Sequence, residues 1–274
     1  MNVFDEPKVD CHCHVLDPVR FPYAPDVAYR PAGQELGPVD HYLQVMDAYG
    51  IRHALLVGPN SGYNLDNRYL LDAIGQGAGR FKGIAVVPLD IARDALLALR
   101  AQGIVGVAFN ATLLGTAHYQ GAGPLLRMLA ELDMWVSLQV QDDQLVDLRP
   151  LIERSGVRVL IDHCGRPATG PGTGQAGFQA LLDMAGSGRV AVKLSGFQKF
   201  SALPPPFVDT RPFLEALLAR FTPDACVWAS DWPFLRAPQR LDIGPLLREI
   251  ARLLPDEADR RKVLWDTPRR LLGF

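Results

Sequence analysis

Short β-type runs and helical runs alternate along almost the whole chain, and that rhythm restricts the fold more than any other feature. β-type runs are expected at 8–16, 54–57, 83–87, 106–110, 135–140, 157–163, 190–195 and 226–231. Helical patterns follow at 39–49, 66–76, 91–102, 124–132, 144–155, 177–185 and 211–220, with further helices at 243–253, 257–265 and 268–272. Strands that alternate with helices pair in parallel through helical crossovers. Eight such units predict an α/β fold, a (β/α)8 TIM barrel, and 274 residues suit the ~250 of that architecture. A doubly wound open sheet would carry a G-x-G-x-x-G fingerprint after its first strand, and none is present. No low-complexity tract or linker interrupts the pattern, so 1–274 reads as one barrel domain.

A formal net charge of -2 gives no general electrostatic reason to bind nucleic acid or an anionic membrane. No apolar run reaches the ~18 residues of a spanning helix, and the opening MNVFDEPKVD lacks a basic region followed by an apolar stretch. A cytoplasmic protein without disulfides is the expectation. Cys11, Cys13, Cys164 and Cys226 all sit in apolar runs and read as small buried hydrophobes.

Active sites of such barrels lie at the C-terminal ends of the strands. The polar residues expected there are His12 and His14 on the first strand, Asn110 on the fourth, Gln139 on the fifth, Asp162 and His163 on the sixth, Lys193 and Ser195 on the seventh, and Asp231 on the eighth. Residues two apart in a strand share a face. His12 and His14 therefore aim two imidazoles into one space, with Asp10 beside them and Cys11 and Cys13 on the other face. Imidazole ligates metals and titrates near neutral pH. The pair reads as half a metal site or as a polar wall for substrate.

Plainer readings stand beside these. His163 could be a satisfied core histidine, Asp231 a helix cap, Arg166 a surface ion-pair residue, and Lys193 the partner of an acid inside the barrel. Ser195 has no histidine near it in sequence and no nucleophile-elbow motif around it. His41, His53 and His118 are expected to face solvent. Tyr23, Tyr29 and Tyr63 fall in loops expected to lie over the barrel mouth, where packing competes with function as their role.

His12-x-His14, Ile161-Asp162-His163-x-Gly165-Arg166-Pro167 and Ser230-Asp231-Trp232-Pro233 together resemble the amidohydrolase superfamily. The closer resemblance is to its lactone-hydrolase branch, the 2-pyrone-4,6-dicarboxylate lactonase type. Phe21-Pro22-Tyr23-Ala24-Pro25, Asp66-Asn67, Gly83-Ile84-Ala85-Val86-Val87 and Lys193-Leu194-Ser195-Gly196 support it, and the likeness spans nearly the whole chain.

That resemblance implies a hydrolase that opens a small lactone, in aromatic or sugar-acid catabolism. It implies Asp231 as the general base toward water, with His12, His14 and His163 around the scissile carbonyl. It implies Arg166 on a substrate carboxylate and Tyr29 against the ring or its acid group, and Asn110, Gln139 and Lys199 are expected to complete the substrate-binding set. The branch is thought to work without a metal, whereas many relatives hold one divalent ion. A single zinc would sit on His12, His14, His163 and Asp231, and both options stay open. Two-metal relatives use a lysine on strand four and a histidine on strand five, where this chain has Asn110 and Gln139.

The chain departs from the branch at Ala108, where the dicarboxylate enzyme has an arginine, and after the seventh strand, where that enzyme has another arginine and this chain has Gln198 and Lys199. A methyl cannot grip a carboxylate as a guanidinium fork does. These departures predict a lactone with fewer acid groups, or another small cyclic ester. Two other functions remain open: a zinc-dependent decarboxylase of the same superfamily, and a non-catalytic barrel that binds a carboxylate metabolite. A homodimer is also open, although no residue marks an interface.

Overall fold

The computed structural model describes residues 2–274. Its strands follow one another in chain order through a single parallel sheet. They are β1 (Lys8–Cys13), β2 (Ile51–Val57), β3 (Phe81–Ala85), β4 (Ile104–Asn110), β5 (Trp135–Gln139), β6 (Arg158–Ile161), β7 (Val190–Leu194) and β8 (Cys226–Trp228). Outside them run α1 (Val39–Ala48), α2 (Arg68–Gln76), α3 (Arg93–Ala101), α4 (Ala111–Leu114), α5 (Gly123–Glu131), α6 (Gln144–Ser155), α7 (Ala176–Asp183) and α8 (Arg211–Phe221). After β8 come α9 (Ile243–Leu253), α10 (Glu257–Arg261) and α11 (Thr267–Leu272). The expected (β/α)8 architecture is borne out. α4 was not foreseen; it is a single turn capped by Asn110, whose side chain accepts from the Leu113 N–H.

Apolar residues sort into two layers. Val9, Cys11, Leu55, Ile84, Leu160, Ala191 and Val227 form a cluster of strand residues inside the barrel. Tyr42, Leu96, Leu129, Phe178 and Leu217 pack between sheet and helices. α11 lies across the end where strands begin. Leu272 joins the inner cluster, and Lys82 donates to the Leu272 and Gly273 carbonyls at 2.6 and 2.8 Å. His53 was expected to face solvent. β2 begins earlier than the pattern suggested, so His53 lies within it, half-buried and stacked against Trp265 and Phe274. The four cysteines are buried and free.

β1 does not alternate as a regular strand would. A register shift between Asp10 and Cys13 marks a bulge. Cys11 stays with the inner cluster, Cys13 joins the outer one, and the Asp10 carboxylate reaches the Tyr42 hydroxyl on α1. The expected face-sharing of Asp10 with His12, opposite both cysteines, is therefore corrected. The bulge turns His12 toward the mouth while Asp10 points at the helix layer.

Asp10 instead ties the seam where the barrel closes. β8 and β1 are joined by a bridge between Cys13 and Trp232, by Asp231 N–H to His12 O at 2.9 Å, and by His14 N–H to Trp232 O at 2.8 Å. The Asp10 carboxylate accepts from the Ser230 N–H at 2.8 Å, from the Ser230 hydroxyl, from the Tyr42 hydroxyl at 2.6 Å and from the His12 N–H at 3.2 Å. Burial pushes this carboxyl up, and the donors oppose the shift.

Several strands end sooner than their apolar runs suggest. β6 stops at Ile161, β7 at Leu194 and β8 at Trp228. His163, Cys164, Arg166, Gly196 and Asp231 then take left-handed backbone, with φ of 51°, 59°, 46°, 63° and 61°. Such conformations are costly for side chains with a Cβ and collect where a site over-determines them. Here they turn His163 and Asp231 off the strand direction into the mouth.

Gly37 pairs with Leu16 through the backbone, and a Cβ on it would stand 2.4 Å from the Trp232 ring. Gly37→Ala is expected to cost about 1–3 kcal/mol by overpacking and to lower activity by displacing the residue next to Asp231. A denaturation midpoint equal to that of the parent protein would contradict this.

Candidate active site

A cavity of about 510 Å³ opens at the C-terminal ends of the strands. Of the residues nominated by the sequence, His12, His14, Tyr29, Asn110, Gln139, Asp162, His163, Arg166, Lys199 and Asp231 line it, whereas Lys193 and Ser195 do not. That size is typical of a small-molecule site.

Asp231 sits at its centre. Its Oδ1 lies 3.9 Å from His12 Nε2 and 3.6 Å from His163 Nε2. Its Oδ2 lies 3.1 Å from Lys199 Nζ and accepts from the Gln198 amide at 2.9 Å. Burial alone would raise this carboxyl, but the Lys199 ammonium and the imidazoles outweigh it and hold the group at about 2. Asp231 is thus ionised at neutral pH, and its carboxylate is spent on Lys199 and Gln198 rather than on capping a helix.

The imidazoles are held from behind. His14 Nδ1 meets the Val57 carbonyl at 2.7 Å, and burial lowers this ring to about 3. His163 Nδ1 meets Ser195 Oγ at 3.0 Å, and burial lowers it well below its ordinary value. Ser195 therefore orients His163 and is no nucleophile. Gly196 allows the fit, since a Cβ there would come within 2.4 Å of His163 Nδ1. His12 Nδ1 faces Lys193 Nζ at 3.1 Å, and His12 Nε2 faces His14 Nε2 at 3.3 Å. Lys193 is paired with Asp162 at 2.8 Å. Burial would lift Asp162, but the Lys193 ammonium holds it well below the carboxylate range.

The walls carry the binding groups. Arg166 Nε is buried without a hydrogen-bond partner. Tyr29 donates to Glu35, and the Arg236 guanidinium lies over its ring at 5.3 Å. Asn110 donates to Asn60 at 3.3 Å, and Gln139 to Thr112 at 2.9 Å. Ala108 also faces the cavity. Sequence reading missed Gln198 as a partner of Asp231, and Asn60, Ser61, Thr112 and Arg236 as lining residues. All lie in loops or in the unforeseen α4, where no periodicity marks them.

His12, His163 and Asp231 present ligand atoms within 4.8 Å of one another, close enough by distance alone to share a metal ion. His14, the fourth ligand expected from the sequence, is not part of that group.

Paired imidazoles at the first strand of a (β/α)8 barrel, a third after the sixth and an aspartate after the eighth form the layout of a hydrolytic barrel. The amidohydrolase family model matches residues 9–274, and the chain belongs to that family. It is 35% identical to 4-sulfomuconolactone hydrolase of Rhizobium radiobacter, over 96% of this chain and 89% of that protein. It is 27% identical to 2-pyrone-4,6-dicarboxylate hydrolase of Comamonas testosteroni, again over 96% and 89%. A crystal structure of a probable 2-pyrone-4,6-dicarboxylic acid hydrolase from Acinetobacter baumannii, with citric acid bound, matches with a TM-score of 0.88 at 26% identity. That match covers 97% of this chain and 99% of the other.

The buried rings make stability depend on pH. Unfolded, such an imidazole takes a proton near its ordinary 6.5; folded, His14 does so only near 3. Between these values the unfolded chain binds more protons. The histidine contribution is therefore complete above about pH 6.5 and falls as pH drops toward 3. Melting temperatures measured from pH 8 downward are expected to show that decline, and His14→Gln is expected to flatten it. An unaltered slope in His14→Gln would refute the assignment.

Proposed function

We propose that this protein opens a small lactone bearing one anionic group, with Asp231 as general base. The observation that carries this reading is an ionised, buried carboxylate set among imidazoles on the floor of a cavity whose wall holds an unpartnered Arg166 Nε. Ester hydrolysis needs a base for water and donors where the oxyanion develops. Asp231 takes a proton from water as the oxygen attacks the lactone carbonyl carbon. The His12 and His163 rings stabilise the negative charge on the carbonyl oxygen. The ring C–O bond then breaks, and the proton held by Asp231 goes to the leaving oxygen, giving the ring-opened acid.

The curated relatives support a cyclic ester as substrate, since they are named as hydrolases of a sulfomuconolactone and of a pyrone dicarboxylate. Arg166 suits one carboxylate or sulfonate. Lys199 is engaged by Asp231 and by the Leu235 carbonyl at 3.2 Å, and Ala108 offers no charge. Arg236 also lines the cavity, but its guanidinium lies over the Tyr29 ring, which leaves Arg166 as the cation for a single charged group.

The donor set does not suit a divalent metal. A ligating imidazole turns a lone pair to the metal and gives its other N–H to an acceptor. The other nitrogen of His12 faces the Lys193 ammonium, which only donates. Lys199 stands on Asp231, so an added cation would meet its ammonium group. The residues carry the reaction without one.

Proton release from a panel of lactones, followed with a pH indicator before and after chelation, tests the proposal. Turnover that survives chelation supports it. A requirement for zinc, with carbon dioxide as product, would replace it with the decarboxylase reading. Silence across the panel, with ligand binding unaltered in Asp231→Asn, would leave a binding barrel. Asp231→Asn is expected to lower kcat by about 10²–10⁴-fold, the range of a lost general base. Arg166→Met is expected to raise KM for the anionic lactone far more than for a neutral one. Lys199→Met removes the charge that depresses Asp231, so the acid limb of kcat/KM is expected to move to higher pH; an unmoved limb would argue against Asp231 as the base.

A further inference from the structure

We propose that Lys193, which lies behind the cavity wall, is a positioning residue that fixes where the His12 proton sits. The lactone-hydrolase reading supplies the task of that proton; its location is argued from the contacts alone.

Lys193 is fully buried in β7 and does not line the cavity. Its ammonium meets Asp162 Oδ1 at 2.8 Å, Ser137 Oγ at 2.7 Å and His12 Nδ1 at 3.1 Å. An ammonium has three N–H groups and no lone pair. These contacts use all of its donors, and His12 Nδ1 can only accept. Ser137 fits the same scheme, because its hydroxyl donates to Asp162 Oδ1 at 2.8 Å and accepts from Lys193.

The other end of the relay is equally one-way. The Val57 carbonyl, 2.7 Å from His14 Nδ1, only accepts. His14 therefore carries its proton on Nδ1 and a lone pair on Nε2. His12 Nε2 stands 3.3 Å from that lone pair. With a fixed donor at one end and a fixed acceptor at the other, one arrangement satisfies every contact. Lys193 donates to His12 Nδ1, His12 Nε2–H donates to His14 Nε2, and His14 Nδ1–H donates to Val57 O. The rival would send His12 Nδ1–H to Asp162 Oδ1 at 3.5 Å. It sets an N–H against the ammonium at 3.1 Å and leaves two lone pairs facing each other across 3.3 Å.

The outcome is a His12 N–H on the cavity wall and a bare His14 nitrogen beside it. As substrate enters, the His12 N–H turns from His14 to the carbonyl oxygen, where negative charge develops, and the freed His14 Nε2 accepts from the attacking water. Lys193 gives and takes no proton. It keeps the donor on the nitrogen that faces the reaction, and the same lock withholds the lone pair that a metal on His12 would need.

The direct test is the long-range proton–nitrogen NMR spectrum of the full chain labelled with 15N-histidine. His12→Gln, His14→Gln and His163→Gln each assign one ring by loss of its signals. The expected spectrum has hydrogen on His12 Nε2 and none on Nδ1, with the reverse for His14. Hydrogen on His12 Nδ1 in the wild-type protein would overturn the proposal, whatever the substrate proves to be. The paired variant Lys193→Met with Asp162→Asn removes the lock without stranding a buried charge. It is expected to mix the His12 forms and to lower kcat by about 10²-fold, the scale of one oxyanion donor, with KM nearly unchanged. A paired variant that keeps both the wild-type His12 spectrum and kcat would also overturn it. Failure of the panel to yield a substrate would remove the hydrolase reading but leave the spectrum to decide the position of the proton.

Discussion

The seam between the first and last strands is the constraint on which the rest depends. The barrel closes there through few backbone contacts, among them Asp231 N–H to His12 O. That bond joins the residue that carries the carboxylate to one that carries an imidazole. Closing the barrel and assembling the site are therefore one event. Asp10 makes it hold: its carboxylate collects donors from Ser230, Tyr42 and the His12 backbone, and so ties β8, α1 and β1 together. An unpaired buried carboxylate would be costly, but here the donors that satisfy it also set the geometry of the neighbouring residues.

Two lysines flank the imidazoles with opposite duties. Lys199 reaches Asp231 from the mouth and keeps it charged. Lys193 is sealed beneath the site, neutralised by Asp162, and faces the back of His12. The front of the site is electrostatically tense, and its back is a satisfied network. Left-handed backbone at His163, Arg166 and Asp231 lies on this front. A strained turn is tolerated where surrounding contacts define it fully.

Much of this was legible in the chain. Alternating runs gave the order of strands and helices, and most of the polar residues at strand ends line one cavity, with Lys193 and Ser195 set behind His12 and His163 instead. The strand ends themselves were misplaced. His163 and Asp231 continue apolar runs in sequence yet lie beyond β6 and β8, because a change in φ leaves no mark on hydrophobic pattern. Asp10 was set on the wrong face for a related reason. Period-two reading assumes a regular strand, and the bulge before Cys13 breaks the period. The apolar pattern starts the second strand at Ala54 and so leaves His53 to solvent, whereas β2 begins at Ile51 and the stacking of Phe274 on His53 comes from the far end of the chain.

Sequence by itself determined the barrel, the family likeness and most of the membership of the candidate site, because periodicity and short motifs are local properties of a chain. Tertiary structure alone decided the pairings: Lys199 on Asp231, Ser195 on His163, Lys193 between Asp162 and His12. Each joins residues from different strands or loops, and hydrogen-bond direction depends on distances of a few ångströms across the barrel. No spacing along the chain encodes such a distance. Only closure of the ring of strands makes it real.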